Sequence, residues 1–225
     1  MDSGTFKTIA DPHSMTNSQS ETANSNTWAA SVRIKAKSLS RAYGQRRHDY
    51  RVGRQPNYVD GERSVFNRAL VDPRPLPVIR NEIERLREKA GAKRALKSNA
   101  AIVTTGIITF GFEAAKVFDL LPAIDQDGAF HELADAIARK LGTTLEGLVV
   151  HLDETTIHAH FEMRAYTDDG VPVSKVATSN LLSDLQDLTA EIMSAACPEI
   201  ERGHRKWDRI AAGADYADTL NRSVK

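Results

Sequence analysis

The residues best suited to chemistry lie in one stretch, residues 151–166, with the sequence HLDETTIHAHFEMRAY. His158 and His160 are two residues apart, so a strand over residues 158–166 would present both imidazoles on the same face. His151 ends the apolar run LVV, which predicts a preceding strand over 145–152, and the residues between them suit a hairpin connection. An antiparallel return would bring the third imidazole beside the other two.

Three converging imidazoles with an open coordination position form a site for a divalent cation, and neutral imidazole suits zinc, manganese, nickel or iron. Asp153 and Glu154 follow His151 and are expected to orient the ligating rings by accepting hydrogen bonds from their second nitrogens. Two other interpretations stay open, namely surface histidines without a metal and a structural zinc. Structural zinc sites are usually closed by cysteine, and the single cysteine, Cys197, lies far away in a helical pattern.

The formal net charge is zero, but the charges are segregated along the chain. Residues 33–97 contain 18 Lys or Arg against 7 Asp or Glu, whereas the remainder contains 12 against 23. Arginine outnumbers lysine in this basic segment, which favours bidentate contacts to phosphate groups. The segment therefore predicts a surface for a polyanion such as nucleic acid, with a solvated basic helix face as the alternative.

The length of 225 residues is enough for one domain with a single core. Residues 1–27 are rich in Ser, Thr and Asn and predict a disordered leader, residues 28–210 predict the functional domain, and residues 211–225 predict a tail. The sequence has no apolar run long enough for a membrane span and no signal-peptide pattern. One cysteine agrees with a reducing compartment, so a cytoplasmic location is expected.

Hydrophobic periodicity predicts the elements that must position these residues. Alternation over residues 28–37 predicts the first strand, a short helix through Arg47 follows it, and the β-branched run at 100–110 predicts a buried central strand. Helical spacing predicts four longer helices, over residues 78–96, 112–121, 128–141 and 181–196. The last of these is expected to be capped by Ser179 or Asn180. The predicted fold class is α+β, with an antiparallel sheet that carries the three-histidine metal site and helices packed on one face.

The sequence HLDETTIHAHF, followed by TDDGVPVSK, resembles the metal motif of the HUH-type relaxases, in particular the plasmid mobilisation and recombination (Mob/Pre, MobV-like) family. That pattern is His-x-Asp-Glu-x-x-Pro-His-x-His, then a Gly-containing turn and Ser-Lys. The resemblance implies His151, His158 and His160 as metal ligands and extends over roughly residues 32–206. Ile157 stands where the family usually has proline, so the entry into the second strand is expected to be made differently.

Two upstream stretches extend the resemblance. RRHDYR lies where the family has a histidine after the first strand, and ERSVFN matches its Arg-Ser-x-x-Asn element. The resemblance implies that His48 is the nucleophile, with Asp153 and Glu154 completing the candidate catalytic residues. Three tyrosines nearby in the sequence are competing nucleophiles: Tyr43, Tyr50 and Tyr58.

The function that this resemblance implies is that of a metal-dependent relaxase, an HUH endonuclease or nickase. Such an enzyme nicks one DNA strand at a plasmid or mobile-element origin by transesterification, forming a covalent 5′-phosphoryl protein–DNA intermediate for conjugation and mobilisation. The expected cofactor is Mn²⁺ or Mg²⁺, and the expected partners are single-stranded or hairpin origin DNA and conjugation accessory proteins. The candidate DNA-binding residues are Arg46, Arg47, Arg51, Arg54, Arg63, Ser64, Asn67, Lys175, Arg205 and Lys206.

Two functions from other classes stay open on the sequence. One is a catalytically idle protein of this fold that binds origin DNA, for instance as a repressor. The other is a metal-dependent phosphoesterase acting on small substrates, which would have less use for the arginine-rich segment. Many members of the family carry a long C-terminal coiled coil that this sequence lacks, so a minimal or truncated relaxase is expected.

Overall fold

The computed structural model describes residues 26–213 of the chain. Within this range the chain divides into a large unit, Thr27–Gly203, and a small unit that contains Asn26 and residues 204–213. The leader and the tail predicted from the sequence lie almost entirely outside the described residues. No helix within the described range is long and apolar enough to cross a membrane.

The large unit is built on a six-stranded sheet with the strand order β2-β4-β5-β3-β1-β6. Its strands are β1 (Ala29–Ser38), β2 (Arg68–Val71), β3 (Ala101–Phe110), β4 (Leu145–His151), β5 (His158–Arg164) and β6 (Glu201–Arg202). Neighbouring strands are antiparallel except for β1 and β6, which pair in parallel over two residues. The predicted α+β class with a mainly antiparallel sheet is confirmed.

Helices connect most of the strands. The helices of the large unit are α1 (Leu39–Asp49), α2 (Leu76–Lys89), α3 (Phe112–Asp119), α4 (Ala123–Lys140), α5 (Val173–Val176) and α6 (Ser179–Ala196), together with a one-turn 3-10 helix at Arg63–Phe66. The small unit contains α7 (Lys206–Ala211).

Helices cover both faces of the sheet, so the prediction that they pack on one face was wrong. On one face α3, α4 and α6 form the main core with alternate residues of β5, such as Phe161 and Met163. On the other face α1 and α2 pack on β3, where Ile79, Ile83 and Val103 belong to a second core. The physical reason is visible in β3, whose consecutive residues 102–106 are all buried, because a strand with no solvent-facing side needs cover on both faces.

Several element boundaries differ from the predictions. Strand β2 was not predicted. Helix α2 ends at Lys89, before Gly91 with its φ of +83°, and not near residue 96. The predicted caps of α6 were also wrong, because Thr178 precedes the helix and its side chain accepts a hydrogen bond from the Leu181 N–H.

Gly106 allows β3 and β5 to pack closely. It lies directly opposite Phe161 in the pairing of the two strands, and a Cβ at this position would overlap the Phe161 ring. We expect Gly106→Ala to lower the free energy of unfolding by about 1–3 kcal/mol, the usual cost of overpacking a filled core. Denaturant unfolding followed by circular dichroism measures this change.

The matched control is Gly128→Ala in α4. Gly128 is exposed, and a Cβ there would meet no atom within 4 Å. Because alanine has a higher helix propensity than glycine, this change should raise stability by about 0.5–1 kcal/mol. Equal effects of the two substitutions would contradict the close packing at Gly106.

Candidate metal centre

Strands β4 and β5 bring three histidines together at one end of the sheet. His151, the last residue of β4, pairs directly with His158, the first residue of β5, and Val149 pairs with His160. The ring centroids are 5.1 Å apart for His151 and His158, 4.8 Å for His151 and His160, and 5.1 Å for His158 and His160. The three imidazoles therefore lie side by side, as the alternation of the sequence predicted.

The connection between these strands is fixed differently from the family pattern. Ile157, which stands in the place of proline, is only 5% exposed and belongs to the main core. Burial of this side chain holds the entry into β5 and so sets the position of His158. Burial of the Ile157 side chain therefore fixes this part of the backbone, as the restricted φ of a proline would.

Helix α1 adds a fourth histidine to the cluster. The His48 ring lies 5.8 Å from that of His151 and 5.5 Å from that of His160. Two groups of three side chains could each supply ligand atoms that lie within 4.8 Å of one another. One group is His48, His151 and His160, and the other is His151, Glu154 and His158. The cluster is therefore larger than the predicted triad, with His151 common to both groups.

Backbone carbonyls fix the orientation of two of these rings. His151 Nε2 lies 2.8 Å from the carbonyl oxygen of Asp49, and His158 Nδ1 lies 2.8 Å from that of Thr156. A carbonyl only accepts, so each of these nitrogens carries the proton and the other nitrogen of each ring keeps its lone pair. The sequence had assigned this orienting role to the carboxylates of Asp153 and Glu154.

The donor set fits a divalent cation. His158 Nε2 is buried and has no hydrogen-bond partner among the described residues, and a buried nitrogen with a free lone pair is costly unless it binds something. Glu154 Oε1 lies 3.6 Å from His151 Nδ1 and 3.8 Å from His158 Nε2, so a carboxylate also faces the cluster. His151, His158 and His160, with Glu154 beside them, would hold the ion.

Electrostatics keep these rings in the form that binds metals. Burial lowers the pKa of His158, and it lowers the pKa of His160 well below the ordinary value, with the neighbouring His151 adding to the effect. Burial also lowers the pKa of His48, assisted by the positive charge of Arg51. The imidazoles of His48, His158 and His160 are consequently neutral at neutral pH, with lone pairs available.

Arg51 lies at the centre of the charged contacts around the cluster. Its guanidinium donates to Asp153 Oδ2 at 2.7 Å and to Glu154 Oε1 at 2.8 Å, and its Nη1 donates to the His48 carbonyl at 3.0 Å. Burial opposes ionisation of Glu154, but its contact with His151 and the hydrogen bond and positive charge of Arg51 outweigh the burial and lower its pKa to about 2. Arg51 has a φ of +53°, which is strained for a residue with a side chain.

Hydrogen bonds to Asp153 connect the metal centre to the segment before β2. The Asp153 side chain is fully buried and accepts hydrogen bonds from Ser64 Oγ at 2.6 Å and from Asn67 Nδ2 at 2.8 Å, in addition to those from Arg51. Burial raises its pKa, but these donors together bring it well below the usual range. The carboxylate is ionised and holds three separate parts of the chain together.

The predicted DNA-binding residues fall into different environments. Arg46 pairs with the buried Glu162, and Arg51, Ser64 and Asn67 are engaged as described above. The exposed residues of this set in the large unit are Arg47, Arg54, Arg63 and Lys175. Arg205 and Lys206 belong to the small unit, and the side chain of Lys206 lies outside the described part of the chain. Contact of these residues with DNA stays a prediction.

Two residues at the site were missed by sequence reasoning. Asp49 orients His151 through its carbonyl, and one of its carboxylate oxygens lies 3.5 Å from His160 Nδ1, while burial raises its pKa to about 6. Arg33 is exposed on β1 in the same cross-strand row as Ile107 and His160. The alternation of the first strand already indicated that Arg33 faces away from the main core.

Comparison with known proteins identifies similar sequences and folds. The family model described as plasmid recombination enzyme (Mob_Pre) matches residues 29–216. A Mn-bound crystal structure described as the MobM relaxase domain (MOBV; Mob_Pre) bound to plasmid pMV158 oriT DNA (22nt) matches with a TM-score of 0.67 and 20% identity, over 83% of this chain and 100% of that one. A second such structure, with a 3′-thiophosphate, has a TM-score of 0.64 and 22% identity over 78% and 90% of the two chains. At these identities the likeness shows a common fold. No protein with a curated description matches the sequence.

Removal of one ligand should abolish metal binding. We expect His158→Ala to weaken Mn²⁺ binding by more than about 100-fold. Replacing a residue that only hydrogen-bonds to a metal ligand usually costs about 10- to 100-fold in affinity, and loss of the ligand itself should cost more. The rise in melting temperature that Mn²⁺ produces in the original protein should disappear in this variant. Titration calorimetry and thermal melts with and without Mn²⁺ measure both effects.

The control for this variant is His131→Ala, which changes an exposed histidine on α4. It should leave both the affinity and the metal-dependent rise in melting temperature unchanged. Stoichiometric, undiminished Mn²⁺ binding by His158→Ala would show that the cluster is not the metal centre.

Proposed function

The chain belongs to the Mob_Pre family of plasmid recombination enzymes, and we propose that it is a metal-dependent relaxase that nicks one DNA strand at a plasmid origin. The observation that supports this most is the cluster of His151, His158 and His160, with the unpartnered His158 Nε2 within it and the His48 ring beside those of His151 and His160. This cluster combines a site for a divalent ion with the neutral imidazole of His48, which would act as the nucleophile. Mn²⁺ or Mg²⁺ would be the ion, and when bound it would offset negative charge on the scissile phosphate.

His48 is the proposed nucleophile. A lone pair of its neutral ring would attack the scissile phosphorus and form a phosphorus–nitrogen bond. The bond from phosphorus to the 3′ oxygen breaks, and that oxygen keeps the electron pair, takes a proton from solvent water and leaves as a hydroxyl. The ring becomes positively charged on attack, and Glu154 Oε1, 3.6 Å from His48 Nε2, would stabilise that charge. The DNA end keeps its 5′ phosphate on the protein, and the bond energy stored there permits rejoining.

The tyrosines are less suited to this role. Burial raises the pKa of Tyr50, and the nearby Glu162 raises it further, so the phenolate that would attack is disfavoured. Tyr43 precedes His48 by five residues on α1, which turns its side chain about 140° away around the helix axis. Tyr58 is 61% exposed on the segment that follows α1. Of His48 and these three tyrosines, His48 is the residue whose ring lies beside the rings of His151 and His160.

The DNA strand would run across the face of the sheet that carries the histidines. Arg33 on β1 shares a row with His160, and with a spacing of about 4.8 Å between strands the two Cα atoms are roughly 10 Å apart. Arg47 is exposed at the end of α1 next to His48. We propose that these arginines bind phosphates on either side of the one that is cleaved.

The domain limits and the location follow from the same proposal. Residues 28–210 would form the nicking domain, and plasmid DNA as the substrate implies action in the cytoplasm. Accessory proteins of conjugation would assemble with the protein on origin DNA.

Replacement of the nucleophile should separate binding from cleavage. We expect His48→Ala to bind Mn²⁺ and origin DNA within about threefold of the original protein while strand cleavage is lost, because the residue supplies a bond in the reaction and little ground-state affinity. Tyr43→Phe, Tyr50→Phe and Tyr58→Phe should each still cut. Nicking of supercoiled DNA of the mobile element and titration with Mn²⁺ are the measurements.

The chemistry of the covalent adduct gives an independent test. An adduct trapped on a single-stranded origin oligonucleotide should survive alkali and break in mild acid, as expected for a phosphorus–nitrogen bond. An acid-resistant adduct on a tyrosine would remove His48 from the nucleophile role. If His48→Ala loses Mn²⁺ binding as well, His48 is a ligand, in line with its place in one of the two groups of ligand atoms.

The basic surface makes DNA binding depend on salt. We expect the logarithm of the binding constant to fall steeply with the logarithm of salt concentration, with a slope of several units if about six phosphates are neutralised. Arg33→Glu and Arg47→Glu should weaken binding to all sequences alike and reduce this slope. Lys140→Glu, the same charge change on α4 across the sheet, is the control and should have little effect.

A further inference from the structure

Two exposed apolar side chains lie on the 3-10 helix beside the metal centre. Val65 is 78% exposed and Phe66 is 63% exposed, and we call the pair the apolar platform. Neither residue has a role in the proposed metal binding or bond cleavage. Adjacent apolar side chains that are exposed and rimmed by polar residues can form part of a binding surface.

Hydrogen bonds fasten the helix under the platform to the metal centre. Asn67 accepts from the Leu152 N–H at 2.8 Å and donates to Asp153 at 2.8 Å, and Ser64 donates to the same carboxylate at 2.6 Å. At the start of the helix, the Asp60 N–H donates to the Asp153 carbonyl at 2.8 Å. All these partners immediately follow His151, so the helix is held at a fixed place relative to the histidines.

The geometry of the helix determines where the platform points. A 3-10 helix has three residues per turn, so Ser64 and Asn67 share the side that faces Asp153. Val65 and Phe66 are each rotated about 120° from that side and must point away from it. Their exposure is therefore a consequence of the anchoring.

We propose that the platform contacts unpaired DNA bases next to the scissile phosphate, with the Phe66 ring stacked against the face of one base. This inference rests on the proposed nicking function, which requires an accessible single strand at the cleavage point. Base stacking on aromatic rings is the usual way in which proteins hold such strands, and it tolerates any sequence.

The charges around the platform favour a nucleic acid over a protein as the occupant. Arg63 is exposed on the same helical turn, and Arg47 and Arg54 are exposed on the preceding part of the chain. None of these three guanidinium groups forms an ion pair within the described part of the chain. An exposed aromatic ring on the same helix as Arg63, in a segment that contains further exposed arginines, matches a strand that offers base faces and phosphates together.

The test compares two probes that differ only in their bases, a 20-nucleotide dT strand and an abasic strand of the same length. Phe66→Ala should weaken binding of the dT strand by about tenfold, the loss expected for one stacked base, and should leave binding of the abasic strand unchanged. Phe66→Trp should keep the original affinity, and its added indole fluorescence should be quenched by the dT strand and not by the abasic strand. Fluorescence anisotropy at fixed salt measures the affinities.

The matched control is Phe112→Ala. Phe112 is 59% exposed at the start of α3, a helix that packs on the opposite face of the sheet, and its replacement should not affect either probe. Both phenylalanines are exposed, so both variants should fold with unchanged melting temperature.

The outcomes separate this inference from the proposed function. In one outcome the original protein binds the dT strand in a salt-dependent way, and Phe66→Ala either has the same affinity or loses affinity equally for both probes. This outcome overturns the platform and leaves the nicking function standing. Failure of the original protein to bind either strand at low salt overturns both. If Phe66→Ala leaves DNA binding intact but abolishes a dimer seen by sedimentation, the platform is a protein contact and the inference is wrong.

Discussion

The buried carboxylate of Asp153 is the constraint on which the rest of the site depends. A fully buried charge is tolerated only when it is paired and hydrogen-bonded, and Asp153 obtains its donors from Arg51, Ser64 and Asn67, which are remote in sequence. Satisfying this one group brings the end of α1, the 3-10 helix and the loop after β4 to a common point. His48 and His151 belong to those same segments, so their approach follows from the solvation of Asp153.

The strained backbone of Arg51 has an explanation in this network. A positive φ is unfavourable for a residue with a side chain, by roughly 1–3 kcal/mol, and persists only where the surroundings impose it. Here the side chain is held by two carboxylates and the His48 carbonyl. The left-handed turn ends α1 and returns the guanidinium towards the helix, so that one residue closes the helix and supports the nucleophile.

Local pattern was enough to predict part of this structure and could not predict the rest. The period of two in His158 and His160 and the short hairpin from His151 predicted three adjacent imidazoles, because a strand allows little else. Arg51 and Asp153 are 102 positions apart in the chain, so local periodicity could not predict their contact. The covering of both faces was implied by the continuous apolar run of β3, whereas the prediction of one covered face had relied on the order of the strands and helices along the chain. The place of His48 in the cluster came from the family resemblance and from no pattern in the residues around it.

The contacts of Arg51 also determine how positive and negative charges are distributed at the metal centre. Arg51 Nη2 lies 2.8 Å from Glu154 and 3.0 Å from His151 Nδ1, so a divalent ion bound to the histidines would be close to a guanidinium. Two like charges at such a distance repel unless an anion lies between them, and the scissile phosphate has the charge and the oxygen atoms to bridge them. Asp153 and Glu154 carry two negative charges against the three positive charges of a divalent ion and Arg51, so the arrangement favours binding of the phosphate over binding of the ion by itself. On this argument the ion and the DNA strand stabilise each other in the site, because the phosphate supplies the negative charge that the protein leaves incomplete.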